Sequence, residues 1–348
     1  MNKEILIILI LASLILSTVV GLQIYTGSMN STKELFDKAP ELQGIAGYIN
    51  TEPIKLEGLE GKVVLIDFWT YSCINCIRTL PYLNSWYEKY SDDGLVVIGV
   101  HTPEFEFEKN YDNVLAAVRE YNIKYPVVQD NDYKTWNAYE NKFWPRKYLV
   151  DIDSNIRYDH IGEGAYEETE KVIQKLLKER ADKFDLKMAE NISNPASAID
   201  VDFGKIGTPE LYLGYGFARV ELGNEEGFQP EKTIEYKVPS SIVPNTVYLE
   251  GVWKNNRDHM ELFSEKGKIV LFYSAKDVNI VAGKNSILLI SLDGQLVGES
   301  RGNDVINNKV LVREQRLYNI VSDIDYNSRL LEIDVDGKGF QIYTFTFG

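Results

Sequence analysis

The sequence predicts an α/β domain followed by an all-β sandwich of jelly-roll type, behind a single N-terminal transmembrane helix. Three observations lead there. Up to Arg180, short continuously apolar runs alternate with stretches of helical periodicity, the pattern of an α/β layer. From Glu210 on no amphipathic helix is recognisable, and short β-rich runs follow one another, some separated by turns such as Asp293-Gly294 and Asp336-Gly337. At the start, Ile5 to Leu22 is almost unbroken Ile, Leu, Val and Ala, with no charged side chain between Glu4 and Lys33. A run of about 20 such residues crosses a bilayer as a helix. At 348 residues the chain is long for one domain, and 44% hydrophobic with 26% charged residues is ordinary for a folded protein. The net charge of −15, with no basic block, argues against nucleic-acid binding.

The terminal segment is apolar on every face, which disfavours a buried core helix. Its length, and the lack of an Ala-x-Ala site after it, favour an uncleaved anchor over a secretory signal peptide. With Lys3 and the amino terminus inside, the rest of the chain is expected on the extracytoplasmic side of the membrane. The expected organisation is 1–26 membrane anchor or signal, 27–49 linker, 50–182 α/β domain, 183–207 linker and 208–348 β-sandwich.

The elements follow in order. Ala46 to Asn50 reads as a short edge element in a polar lead-in. Lys62 to Trp69 is a strand, and Ile74 to Tyr90 a helix. After the turn Asp92-Asp93-Gly94, Leu95 to Val100 is apolar throughout, as in a strand buried on both faces. His101 to Glu108 is a loop. Helices are expected over 111–121 and 133–142, with an extended piece at Tyr125 to Gln129 between them. A hairpin, 147–151 with 156–161, turns at Asp153-Ser-Asn155, and Tyr166 to Arg180 is a periodic helix. In the second half, Lys268 to Tyr273, Asn279 to Val281, Leu317 to Val321, Leu330 to Val335 and Gly339 to Phe347 are among the strands.

The chemistry centres on Cys73-Ile-Asn-Cys76, which holds both cysteines of the chain. The first cysteine falls at a helix start, where the dipole and unpaired N–H groups favour a thiolate. The expected reaction is thiol–disulfide exchange. A zinc site would need four clustered ligands, and His101, His160 and His259 are scattered. One cysteine pair is too little for a disulfide scaffold. The spacing of two residues counts against a copper carrier. Asp67 lies on the strand before the pair among apolar neighbours, so its carboxyl is expected to be buried and raised in pKa.

Asp67-Phe-Trp, the Cys-x-x-Cys, Pro81 in the following helix and a later Trp144-Pro145 before a hairpin resemble a thioredoxin-like domain. The inserted helical segment Tyr111 to Lys142 is similar to the TlpA/ResA branch. Phe68 to Cys76, Gly99-Val-His-Thr-Pro-Glu-Phe105 and Gly162-Glu-Gly-Ala-Tyr166 resemble the extracytoplasmic part of DipZ-type proteins, in which a jelly roll follows. Thr208 to Gly214 and Phe345 to Gly348 resemble the borders of that second module. The resemblance implies Cys73 as nucleophile, Cys76 as resolving thiol, Asp67 as proton relay and Pro145 as a cis-proline beside the disulfide. It implies Trp69 and Trp144 on the substrate face, with His101 nearby, either tuning a thiolate or holding the loop. Pro81 is read as a structural kink. No cofactor beyond the Cys73–Cys76 disulfide and no metal is expected. DipZ-type proteins also carry a multi-helix domain that passes electrons outward. Only one apolar segment exists here, so a separate CcdA-like donor or another thiol reductant is expected to serve a reductase acting on protein disulfides.

Two rivals remain open on the sequence. A thiol peroxidase of peroxiredoxin type would want a proline in the stretch before Cys73, which Trp69-Thr-Tyr-Ser lacks. An envelope glycan-binding protein with an accessory redox domain would use aromatics such as Trp253, Tyr248 or Trp136, for which core packing is the favoured alternative.

Overall fold

The computed structural model describes residues 37–187 and 201–348. Ala39–Gly348 is a compact unit by itself. The expected anchor and the linker stretch Asn191 to Ser197 lie outside the described residues. Among the described residues no helix is long and apolar enough to cross a membrane.

The first half contains β1 (Gly47–Ile49), β2 (Val63–Trp69), α1 (Ile74–Tyr90), β3 (Leu95–His101), α2 (Tyr111–Glu120), β4 (Val127–Gln129), α3 (Lys134–Ala138), β5 (Arg146–Val150), β6 (Ile156–Ile161) and α4 (Tyr166–Phe184). Its sheet has the order β1-β4-β3-β2-β5-β6. Strands β2, β3 and β4 run parallel, and β1, β5 and β6 run antiparallel to their neighbours.

The central strands are covered on both faces, which is why their sequences are apolar without alternation. Val63, Leu65 and Trp69 join Leu80, Leu83 and Trp86 of α1 and Ile173, Leu176 and Leu177 of α4. Val64, Ile66 and Phe68 point the other way, toward Trp136, Tyr139 and Tyr148. Successive strand residues face opposite sides, so Asp67 falls on the α1 side with Leu65 and Trp69. Truncating a buried anchor such as Leu83 or Trp86 would cost about 2–5 kcal/mol.

Three boundaries differ from expectation. The sheet begins before residue 50: β1 pairs with β4, and the Ala46 N–H donates to the Gln129 carbonyl at 2.8 Å. Ala39, Leu42 and Ile45 also pack against the core, so these residues belong to the fold and not to a linker. The helix expected over 133–142 contracts to α3, because Tyr133 and Glu140 adopt left-handed conformations at its two ends (φ 58° and 49°). The Asp130 carboxylate accepts from the Thr135 and Trp136 N–H groups at 3.1 and 2.7 Å. Helix α4 runs on to Phe184, past the expected domain edge at 182.

The second half is β-rich: β7 (Leu211–Tyr212), β8 (Thr233–Tyr236), β9 (Val247–Asn255), β10 (Met260–Leu262), β11 (Lys266–Gly283), β12 (Ser286–Leu292), β13 (Gln295–Leu296), β14 (Lys309–Val312), β15 (Arg316–Asp336) and β16 (Gln341–Phe347). What the sequence breaks into separate runs are two long strands, β11 and β15, paired along most of their length. Register shifts at Ala275/Asp277 and Val278/Asn279 interrupt that ladder, and such irregularities bend a strand. The first part of β11 therefore pairs with β9 and the later part with β16, while β10 bridges β9 and β16. Trp253 and Tyr248 are buried here, as Trp136 is in the first half. These three aromatics are core residues, which removes them as a sugar-facing platform.

Candidate active site

Strand β2 delivers the site. Its last residues, Asp67 to Trp69, lead through a four-residue turn into α1, whose N-cap is Cys73. Cys73 is half-buried, whereas Cys76, one turn in, is 1% exposed. The Cys76 backbone N–H donates to Cys73 Sγ at 3.4 Å, satisfying one of the open donors of the helix start. Cys73 Sγ lies 3.9 Å from the Trp144 carbonyl. The Trp144–Pro145 peptide bond is cis, and Pro145 is buried. The indole of Trp144 donates to the Thr102 carbonyl at 3.0 Å and packs on Trp136 at 4.2 Å. Phe143, just before it, is 46% exposed.

Burial pushes the Cys76 thiol well up, and its contact with Cys73 adds to this. Burial also raises the Asp67 carboxyl, from 3.8 to about 7, against the opposing pull of the Lys147 ammonium. Asp67 is 1% exposed, and among the described residues its Oδ1 has no hydrogen-bond partner. A buried thiol that resists ionisation thus sits near a carboxyl that titrates near neutrality. That is the combination a proton relay needs.

Lys147 was not apparent in the sequence as a site residue. It stands directly across from Asp67 in the β2–β5 ladder and is fully buried. Its Nζ donates to the Gly162 carbonyl at 3.0 Å. Burial lowers its pKa, while Asp67 first and then Cys76 act to raise it. The available signal was a lysine in an apolar strand two residues after Pro145, on the face that alternation gives to Asp67.

Glu108 was also missed. It is completely buried and accepts from Ser72 Oγ at 2.6 Å. Its second oxygen accepts from the Glu104 and Phe105 N–H groups at 2.6 and 2.9 Å. The residue before Cys73 is thereby tied to the loop after β3.

One expected site residue lies elsewhere. Trp69, expected on the substrate face, is fully buried because its side chain points under α1; its ring meets His101 edge-on at 5.3 Å. His101 is buried too, stacks on Tyr71 and has Nε2 3.3 Å from Thr70 Oγ1. Burial lowers its pKa to about 3, so it is a neutral ring that holds the turn.

Residues 36–159 match the AhpC/TSA family, and residues 208–348 match the Thioredoxin like C-terminal domain. The thiol–disulfide oxidoreductase ResA of Bacillus cereus is 30% identical over 179 residues, covering 51% of this chain and 99% of ResA. The chain belongs to the thioredoxin-like thiol–disulfide oxidoreductases. Another such relative, YkuV of Bacillus subtilis, is 30% identical over 140 residues, 40% of this chain and 94% of YkuV. The protein DipZ of Mycobacterium tuberculosis is 36% identical over 315 residues, 89% of this chain. The chain spans 43% of the length of DipZ. Of the three residues, Cys73 is half-buried, and Cys76 and Asp67 are both buried.

Proposed function

We propose that this chain is a membrane-anchored reductase of protein disulfides on the extracytoplasmic side. The observation that carries the chemistry is the pairing of half-exposed Cys73 at the α1 start with buried Cys76 and buried Asp67 behind it. The Cys73 thiolate attacks one sulfur of a substrate disulfide. A Cys73–substrate disulfide forms and the other substrate sulfur leaves as thiolate, taking a proton from solvent. Cys76 then gives its proton to the Asp67 carboxylate and attacks Cys73 Sγ. The second substrate thiolate leaves, and the chain holds a Cys73–Cys76 disulfide. Two electrons have passed to the substrate. A CcdA-like membrane donor or another dithiol returns them.

The reductase direction is supported by the uncharged Ile74-Asn75 pair between the cysteines, which lacks the histidine of a strongly oxidising motif. The apolar segment Ile5 to Leu22 supports the anchor. The jelly-roll assignment of 208–348 is supported by its antiparallel strands and the bent β11, and a glycan remains a proposed ligand of that module.

The test is a Cys76→Ser trap in cells. Mixed disulfides through Cys73 should accumulate with specific proteins, and their absence would sink the reading. A reduction potential well below that of its substrates then establishes direction.

A further inference from the structure

A cleft of about 840 Å³ lies between α1 and the β-rich half, within the range of about 300–1,000 Å³ usual for ligand sites. One wall is the active-site helix, with Ile74, Ile77 and Pro81; the other is formed by β11 and β15. The cleft starts at Ile74, the residue after the nucleophile. Most charges along it are already engaged: Arg78 with Glu163 at 3.2 Å, Arg316 with Asp304 at 2.7 Å, Asp277 with Ser322 Oγ at 2.6 Å.

Two amides are not fully engaged. Asn279 on β11 is 2% exposed; its Oδ1 accepts from Asn319, but its Nδ2 is buried with no partner among the described residues. Asn84 on α1 donates to the Tyr121 carbonyl at 3.0 Å, and its Oδ1 is buried with no partner among the described residues. Both residues line the cleft, and beneath its surface one wall holds an unused donor and the other an unused acceptor. A buried polar atom left unpaired is costly, and native structures carry few of them. A peptide group, with one C=O and one N–H, supplies what both lack. The apolar surface of Ile74, Ile77 and Pro81 suits its side chains.

We infer that this cleft binds an extended segment of the disulfide-bearing protein substrate, with Asn279 and Asn84 hydrogen-bonding its main chain. This rests on the disulfide-reductase reading. The β-rich half then forms one side of the substrate site and selects unfolded or extended protein over small disulfides.

The test uses the full chain, reduced beforehand, in single-turnover reactions with scrambled ribonuclease A and with 5,5′-dithiobis(2-nitrobenzoate). The quantity read is the ratio of the two second-order rate constants. Asn279→Leu and, separately, Asn84→Ala should each lower that ratio about three- to tenfold, the loss of one hydrogen bond. Asn84 is only half-buried, so its variant tests the cleft even if Asn279→Leu folds poorly. An unchanged ratio in Asn84→Ala, with both substrates still reduced, overturns the cleft and leaves the reductase reading standing. Failure of the wild type to reduce either substrate overturns both.

Discussion

Asp67→Asn should stabilise the chain while slowing its chemistry. Moving a carboxyl from 3.8 to about 7 is worth roughly 4 kcal/mol between its two protonation states. The attraction of Lys147 is already contained in that value, since it acts to lower it. The folded chain holds the Asp67 proton between pH 3.8 and about 7 when the unfolded chain has lost it. Stability from this group is therefore full below pH 3.8 and declines as pH rises to 7. Asparagine imitates the protonated form at every pH. Its advantage should be near zero at pH 4, grow by about 1.4 kcal/mol per pH unit, and level off near 4 kcal/mol above pH 7. Urea denaturation of both proteins, each with its cysteines reduced, at intervals from pH 4 to 8.5 measures this directly. On the proposed mechanism the same substitution removes the proton acceptor for Cys76. Resolution of the mixed disulfide should slow on the order of 10²-fold and lose its pH dependence near 7. A stability difference that stays flat across that range would refute the assignment of Asp67 as a buried group titrating near neutrality.

Lys147→Met removes the charge that holds the Asp67 carboxyl down, so the pH midpoint of mixed-disulfide resolution should move above 7, read by stopped-flow thiol release. Ser72→Ala withdraws a 2.6 Å hydrogen bond from fully buried Glu108 and should cost about 1–3 kcal/mol in urea denaturation. Burial raises the Glu104 carboxyl to about 8, with Glu210 and Glu108 adding to this and the Tyr212 hydroxyl and Arg219 opposing it. Glu104 joins the β3–α2 loop to Tyr212 of the β-rich half at 2.6 Å. That junction should loosen as pH rises from 4.5 through 8, seen as falling amide-exchange protection factors, corrected for the intrinsic rate at each pH, at 104–108 and 210–217, and Glu104→Gln should abolish the change.

The fold was legible wherever one period dominated. Val63 to Ile66 and Leu95 to Val100 are continuously apolar because helices cover both faces, and the hydrophobic spacing of Ile74 to Tyr90 matches α1 from end to end. Legibility failed where a local backbone choice decided. Nothing in Tyr133 or Glu140 announces a left-handed conformation, so α3 came out shorter than its periodicity. The bulges in β11 hid one long strand behind two short runs. The contacts of Phe105 and Phe107 with Tyr212, Phe217 and Tyr343 join segments over a hundred residues apart, which no local pattern can announce.

The site divides along the same line. The placement of Cys73 and Cys76 at a helix start and the burial of Asp67 could be read because strand-to-helix geometry is local and the neighbours of Asp67 are apolar. Trp69 was misassigned although strand alternation places it: Leu65, Asp67 and Trp69 share one face, and that face lies under α1. Lys147 is the harder case. Its position follows from antiparallel register, because β5 returns alongside β2 and sets residue 147 opposite 67. The two charges are costly to bury separately, and the attraction between them offsets only part of that cost. Burial raises the carboxyl, the ammonium limits the rise, and the balance leaves Asp67 near 7. Either group without the other would move that balance off the pH at which a thiol proton has to be taken. A proton relay built on Asp67 would therefore be a property of the β2–β5 pair, and a search confined to the neighbourhood of Cys-x-x-Cys can find only half of it.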